Sequence, residues 1–203
     1  MAEKLKGTTT VGIACREGIV LAADRRASLG NMVLSDNVTK VFWIDDHLAL
    51  AGAGSVGDIL SFVRLLRSEA KLYRARVGRE MSVKALATLA SNILHGGRGY
   101  AYFAWFLIGG HDSAPRLYSI DAAGGLTEDK FTAAGSGMEF AFSILESGFR
   151  EDISLKEAVK LALRAIGAAT RRDVFTGGGV TLITITRDGH HEWSEEELKA
   201  LSE

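Results

Sequence analysis

Cysteine occurs once and proline once in 203 residues. The single thiol, Cys15, cannot close an internal disulfide, and its place in an alternating apolar segment predicts a buried structural thiol in a reducing, cytoplasmic setting. Charge of one sign is equally scarce: 24 Lys plus Arg stand against 25 Asp plus Glu, and basic residues cluster only in pairs such as Arg25-Arg26 and Arg171-Arg172. Nucleic-acid binding therefore has no electrostatic footing. No stretch approaches the roughly 18 consecutive apolar residues of a membrane span, which predicts a soluble chain without a membrane partner. Residues 1–7 are polar and lysine-bearing with no apolar core, so they do not read as a secretory signal but as a short removable leader. Linker-like and low-complexity segments are missing too, which predicts a single domain without internal repeats.

What is present is an ordered, core-forming composition, with 47% hydrophobic and 24% charged residues. The slightly positive mean hydropathy hints at apolar surface buried against other subunits. Alternation predicts strands over Thr9–Arg16 and Ile19–Asp24 around a Glu17-Gly18 turn, the second apolar enough for burial on both faces. Strands over Lys40–Ile44 and Leu48–Gly52 follow, and Gly54-Ser55 leads into a helix with Val56, Ile59, Leu60, Val63, Leu66, Ala70 and Tyr73 at helical spacing. A second helix starts with Ser82 as N-cap and stops at His95-Gly96-Gly97. Strands return over Phe103–Ile108, Arg116–Ile120 and Lys130–Ala134, with Asp121–Gly125 as a turn. Helices then run from Met138 to Phe149 and from a Ser154/Glu157 capping box to Arg172, before a strand over Val180–Thr186 and a short helix over Ser194–Leu201. Strands, two helices, strands, two helices and a strand argue for α+β layers, two antiparallel sheets between helices, rather than a βαβ repeat.

The run Gly7-Thr8-Thr9-Thr10-Val11-Gly12 sets a small, easily attacked carbonyl before a threonine that opens a strand. Cleavage after Gly7 would give Thr8 both a hydroxyl and a free α-amine of pKa about 8, so that one residue supplies nucleophile and base. By itself a threonine triplet is as well explained by the β-branched start of a strand.

The wider pattern is more specific. Together with that run, Ala23-Asp24-Arg25-Arg26-Ala27-Ser28, Lys40, Gly52-Ala53-Gly54 with Gly57-Asp58, Asp121-Ala122-Ala123-Gly124-Gly125, Gly135-Ser136-Gly137 and Arg172-Asp173 resemble proteasome β subunits, most closely archaeal ones. The resemblance spans nearly the whole chain and implies the N-terminal nucleophile hydrolase fold, a four-layer αββα sandwich. It implies Thr8 as nucleophile, with Asp24 and Lys40 beside it. A lysine ammonium there would lower the pKa of the terminal amine, and the aspartate would keep the lysine oriented. Ser136 and Asp173 match residues that orient the amine, and Thr176 stands where many relatives carry serine. Gly54 matches the glycine whose backbone N–H stabilises the oxyanion. The same resemblance implies Gly52 at the base of the specificity pocket, with Ala27, Val38 and Val56 among its walls. Taken separately, Ser136 would be a helix N-cap, Asp173 a loop charge, and Asp24 with Lys40 a surface ion pair.

The resemblance further implies a zymogen that removes residues 1–7 itself and needs no metal or organic cofactor. It implies α and β subunits in stacked seven-membered rings, unfolded proteins as substrates, and an ATPase regulator acting through the α ring. Two alternatives stand beside this reading: a noncatalytic β subunit that keeps its leader, and an HslV-type peptidase, whose Gly-Asp-Gly-Gln segment is absent where this chain has Asp24-Arg25-Arg26. Gly177-Gly178-Gly179 lacks the Gly-Lys-Ser/Thr ending of a phosphate loop and reads as a close-packing turn. The adjacent His190 and His191 would face opposite ways on a strand and read as solvated residues rather than metal ligands.

Overall fold

A computed structural model describes residues 7–97 and 102–202; residues 1–6, most of the expected leader, lie outside the described residues. The chain opens with strands β1 (Thr9–Ala14), β2 (Gly18–Asp24), β3 (Ala27–Leu29), β4 (Met32–Ser35), β5 (Val41–Asp45) and β6 (Leu48–Gly54). Helices α1 (Val56–Val77) and α2 (Val83–Gly96) follow, then β7 (Ala104–His111), β8 (Pro115–Ile120), β9 (Leu126–Glu128) and β10 (Phe131–Gly135). Helices α3 (Met138–Gly148) and α4 (Leu155–Arg172), strands β11 (Val180–Thr186) and β12 (Gly189–Glu192), and helix α5 (Glu195–Ser202) complete it.

Two five-stranded antiparallel sheets, ordered β10-β1-β2-β11-β12 and β5-β6-β7-β8-β9, carry the architecture, and β3 pairs with β4 in a separate ribbon. Strand period fixes which core each residue joins. In β6, Leu48 and Leu50 face α1 and α2, whereas Ala49, Ala51 and Ala53 face the other sheet. In β2, Val20 and Ala22 face α3 and α4, whereas Ile19, Leu21 and Ala23 face inward between the sheets. Every residue of β2 is buried, as its unbroken apolar run implies. Three apolar layers thus separate four layers of secondary structure, the expected αββα sandwich. The middle layer is thin and alanine-rich: a Cβ on Gly109 would come within 2.5 Å of Ile19, and one on Gly12 within 2.8 Å of Leu117.

The helix signals act where the sequence puts them. Ser82 accepts a hydrogen bond from the Ala85 N–H, and Ser154 with Glu157 forms a reciprocal capping box. Helix α3 differs: Gly137 is its N-cap, which frees the side chain of Ser136 for another task. The sequence reading missed β3, β4, β9 and β12, all short or largely exposed. Two of these omissions had a turn signal beside them, Gly30-Asn31 between β3 and β4 and Asp188-Gly189 before β12. Among the described residues no helix is long and apolar enough to cross a membrane.

Candidate active site

Thr8 stands immediately before β1, whose outer residues pair with Ala23 of β2 and with Gly135 of β10. That pairing carries Thr8 into the gap between the end of β2 and the loop after β10. Thr8 is buried, at 2% exposure, and its hydroxyl donates to the Gly7 carbonyl oxygen. Gly7 has φ +144°, and a Cβ there would press on Phe175 and Ser28, so both backbone and space favour glycine before the threonine.

Asp24 and Lys40 lie on one side of Thr8, at 0% and 2% exposure. Lys40 Nζ donates to Asp24 Oδ1 at 2.8 Å and to the Arg26 carbonyl at 2.6 Å. Asp24 also accepts three backbone N–H groups, from Thr9 on Oδ1 at 2.9 Å and from Arg26 and Gly177 on Oδ2 at 3.1 and 2.9 Å. Burial pushes the Lys40 ammonium below the usual lysine value, and Asp24 opposes that shift. The surface-pair reading of these two residues is excluded by their burial.

A second, hydroxyl-rich network lies on the other side. Asp173, the C-cap of α4, accepts from Ser136 Oγ and from Thr176 Oγ1, each at 2.6 Å on Oδ2, and from the Phe175 N–H on Oδ1. Ser136 Oγ in turn lies 3.3 Å from the Thr8 nitrogen. Thr176 is thus part of this network with its hydroxyl intact and its methyl accommodated, at 1% exposure. Gly177 donates to Asp24, so the triple-glycine segment closes the site as well as packing tightly: a Cβ at Gly177 would meet the Arg26 guanidinium at 2.6 Å.

A cleft of about 190 Å³ opens over Thr8, with Gly7, Lys40 and Gly54 also in its wall. Gly54 has φ +136°, and a Cβ there would collide with the Phe103 carbonyl at 2.1 Å. Only glycine lets the chain turn from β6 into α1 here, and the positive end of α1 then faces the cleft through Ser55 and Val56.

A model of the family described as "Proteasome subunit" matches residues 5–185. The chain belongs to that family. It is 80% identical over 203 residues, all of both chains, to "Proteasome subunit beta 1" of Thermococcus kodakarensis. It is 62% identical over 201 residues to "Proteasome subunit beta 2" of Pyrococcus abyssi, covering 99% of this chain and 97% of that one. "Proteasome subunit beta" of Methanocaldococcus jannaschii is 46% identical over 200 residues, 97% of this chain and 89% of that one. The resemblance read from the sequence, to archaeal proteasome β subunits, is what these matches show.

Not every expected pocket residue of this β subunit faces the cleft. Ala27 and Val56 do; Gly52 and Val38 do not. A Cβ at Gly52 would meet three carbons of Ile59 at 2.9–3.1 Å, so Ile59 covers Gly52 and presents its own side chain to the cleft. Leu34 and Leu60 extend the apolar wall, and Ser28 Oγ is buried beside it without a hydrogen-bond partner. Sequence reasoning missed Ile59 because its helical spacing marks it equally well as core. It also missed Thr9 and the Gly177 N–H, whose partners lie more than 150 residues away. His190 stacks on Trp43 and His191 meets Glu197, both at the surface. Among the described residues no group of three His, Cys, Asp or Glu side chains could hold a metal.

Proposed function

We propose that this chain is a catalytic β subunit of the proteasome core particle, a threonine endopeptidase made active by removal of residues 1–7. The observation that carries the reading is the buried Thr8 hydroxyl against the Gly7 carbonyl, at the floor of the cleft and flanked by both networks. In the precursor the Thr8 nitrogen is an amide and cannot act as base. Lys40, with its lowered pKa and a wall position in the cleft, is the titratable group suited to take the hydroxyl proton. Thr8 Oγ1 then attacks the Gly7 carbonyl carbon, the C–N bond to Thr8 breaks as its nitrogen is protonated, and water hydrolyses the resulting ester. The leader leaves, and Thr8 keeps a free amine.

In the mature subunit that amine is the base. Ser136 and Asp173 hold it, and the Lys40 charge keeps its pKa low enough to accept the hydroxyl proton. Attack on a substrate carbonyl places the developing oxyanion toward the Gly54 N–H and the start of α1, the kind of donor whose loss costs about 10² to 10³ in rate. The amine protonates the leaving nitrogen, and water releases the acyl group from Thr8. The family name supports assembly with further proteasome subunits. We take these to be α and β subunits in stacked seven-membered rings, cytoplasmic, fed with unfolded protein by an ATPase regulator at the α ring.

Intact mass spectrometry of the chain in assembled particles tests this. A mass beginning at Thr8 in wild type and at residue 1 in Thr8→Ala, with peptidase activity only in the former, is the expected result. A wild-type particle that keeps residues 1–7 would make the chain a noncatalytic ring component.

A further inference from the structure

Thr9 is the residue at which the two networks flanking Thr8 meet. Its backbone N–H donates to Asp24 Oδ1, the oxygen that also receives Lys40, while its side-chain Oγ1 lies 2.7 Å from Thr176 Oγ1. Proton counting sets the direction of the second contact. Asp173, as a carboxylate, only accepts, so Thr176 spends its single hydroxyl proton on Asp173 Oδ2, and Thr9 must be the donor to Thr176. By the same count Ser136 spends its proton on Asp173 and presents a lone pair to the Thr8 nitrogen. The chain of donors therefore runs from Thr9 through Thr176 to Asp173, and from the Thr8 nitrogen through Ser136 to the same oxygen. Two further observations set this hydroxyl apart. Thr10, the next residue, donates to the Ala134 carbonyl of its own sheet, as a strand threonine commonly does. Residue 137 is glycine where a Cβ would come within 2.2 Å of Thr9 Oγ1 and 3.1 Å of Thr176 Oγ1, so the space for the hydroxyl pair is kept open by the start of α3.

We infer that Thr9 is a positioning residue for the terminal amine: its hydroxyl orients Thr176, polarises the Thr176–Asp173 bond, and so limits how strongly the Asp173 charge is felt at Thr8. The inference rests on the threonine-peptidase reading above. Hydrogen bonds in such a chain strengthen one another, and a carboxylate that loses part of its donor support projects more negative charge onto a neighbouring amine. Removing the Thr9 hydroxyl should then favour the ammonium form of Thr8, which cannot act as base.

The test is the pH profile of kcat/KM on a fluorogenic peptide, measured on processed particles of wild type, Thr9→Val and Thr9→Ser. Thr9→Val keeps the shape of the side chain and should move the acid limb upward by about half a unit, which lowers the rate about threefold on that limb and less on the plateau, with KM changed less than about twofold. Thr9→Ser should restore the wild-type limb. Thr176→Val reaches the pair from the other side and should give the same upward shift, with the double variant no worse than either single. If Thr9→Val does not assemble, Thr9→Ala and Thr176→Val carry the measurement. An unmoved acid limb, a loss confined to KM, or Thr9→Ser behaving like Thr9→Val would overturn the inference while leaving the peptidase reading intact. A processed wild type without peptidase activity would overturn both.

Discussion

Among the described residues, two hollows of similar size can be set side by side, the cleft of about 190 Å³ over Thr8 and another of about 220 Å³ beside the loop joining α3 to α4. The second is the more heavily charged, with Arg150, Glu157, Lys160 and Arg164 in its wall. Its charges lie in water: the Arg150–Glu157 pair leaves its side chains 65% and 50% exposed. Glu157 is held below the usual carboxylate value chiefly by the Ser154 hydroxyl and backbone N–H of its own capping box, with Arg150 a lesser cause. Over Thr8 the ion pair is out of water, and Asp24 has its oxygens filled by four donors. Volume and charge count are alike or favour the second hollow, so neither marks a reactive site. Desolvation does, because the same charge acts on a neighbour many times more strongly away from water.

Breaking the buried pair gives the largest expected effects, and they should be unequal. Lys40→Met removes the cation but leaves Asp24 with three backbone N–H partners, so the particle should assemble and lose nearly all peptidase activity. Asp24→Asn leaves the buried ammonium with the Arg26 carbonyl and turns an amide NH₂ toward groups that donate. It should lose activity and also about 3 kcal/mol or more of stability, the typical cost of an uncompensated buried charge. Thermal unfolding beside a peptidase assay separates the two outcomes; equal stability losses would show that the backbone donors do not support Asp24 as described.

The contrast between the hollows also shows what was legible in the sequence. Thr8, Asp24, Lys40, Ser136 and Asp173 could be named because the chain-long resemblance to proteasome β subunits carries them over position by position, whereas taken separately Ser136 reads as a helix N-cap, Asp173 as a loop charge and Asp24 with Lys40 as a surface ion pair. The layers could be named because residues such as Leu48 to Ala53 alternate cleanly, and the Ser154/Glu157 capping box could be named because a local hydrogen bond has a local signature. What could not be read is contact between distant, uncharged groups. Ile59 sits over Gly52 across the sheet–helix interface, and Thr9 meets Thr176 through two hydroxyls that leave no trace in spacing or charge. Exposed β3 and β4 hid for a different reason, since their outward residues follow no burial alternation.

The burial of Lys40 has a pH consequence next in size. Its pKa is lowered from 10.5 by desolvation, so the neutral amine appears at lower pH than in a free lysine. If it is the base for leader removal, processing of purified precursor should speed up as pH rises through that lowered value and level off above it. Lys40→Arg should process slowly at every pH. The linkage has the same sign: between the lowered value and 10.5 the unfolded chain binds more protons at this position, so the penalty for burying Lys40 is fully present at low pH and relieved as pH rises. A processing rate that falls with rising pH over this range would remove Lys40 from the base role.

Substrate choice should respond more modestly, and at Ile59 rather than at Gly52. Ala27, Leu34, Val56, Ile59 and Leu60 make an apolar stretch of the cleft wall, and the charged residues that also line it, Arg26 and Lys40, are both cations, so a basic side chain before the scissile bond finds no counter-charge in that wall. Cleavage after Leu, Tyr or Phe should exceed cleavage after Arg. Ile59→Ala, which deepens the cleft by uncovering Gly52, should favour the largest of these, with ratios changing about 10- to 100-fold per hydrophobic step. A peptide panel varied only at that residue reads both, and faster cleavage after Arg in wild type would refute the apolar reading.

The smallest effect is expected at the second hollow, and it sharpens the comparison. Lys160 and Arg164, one helical turn apart on α4, are exposed, and Glu157 already has Ser154 and Arg150 as partners. Exchanging both cations for glutamine removes two charges from high-dielectric surroundings, where a pair is worth at most about 1 kcal/mol, and leaves the apolar floor of Ile153 and Leu161 untouched. Lys160→Gln with Arg164→Gln should therefore keep leader processing, the kcat of the peptidase and its acid limb at wild-type values in assembled particles. A change in kcat larger than about twofold would mean that these exposed charges reach the active site through the length of α4, at whose far end Asp173 sits as C-cap. Exposure would then be a poor guide to which hollow matters, and the comparison would fail at the point where it makes its plainest claim.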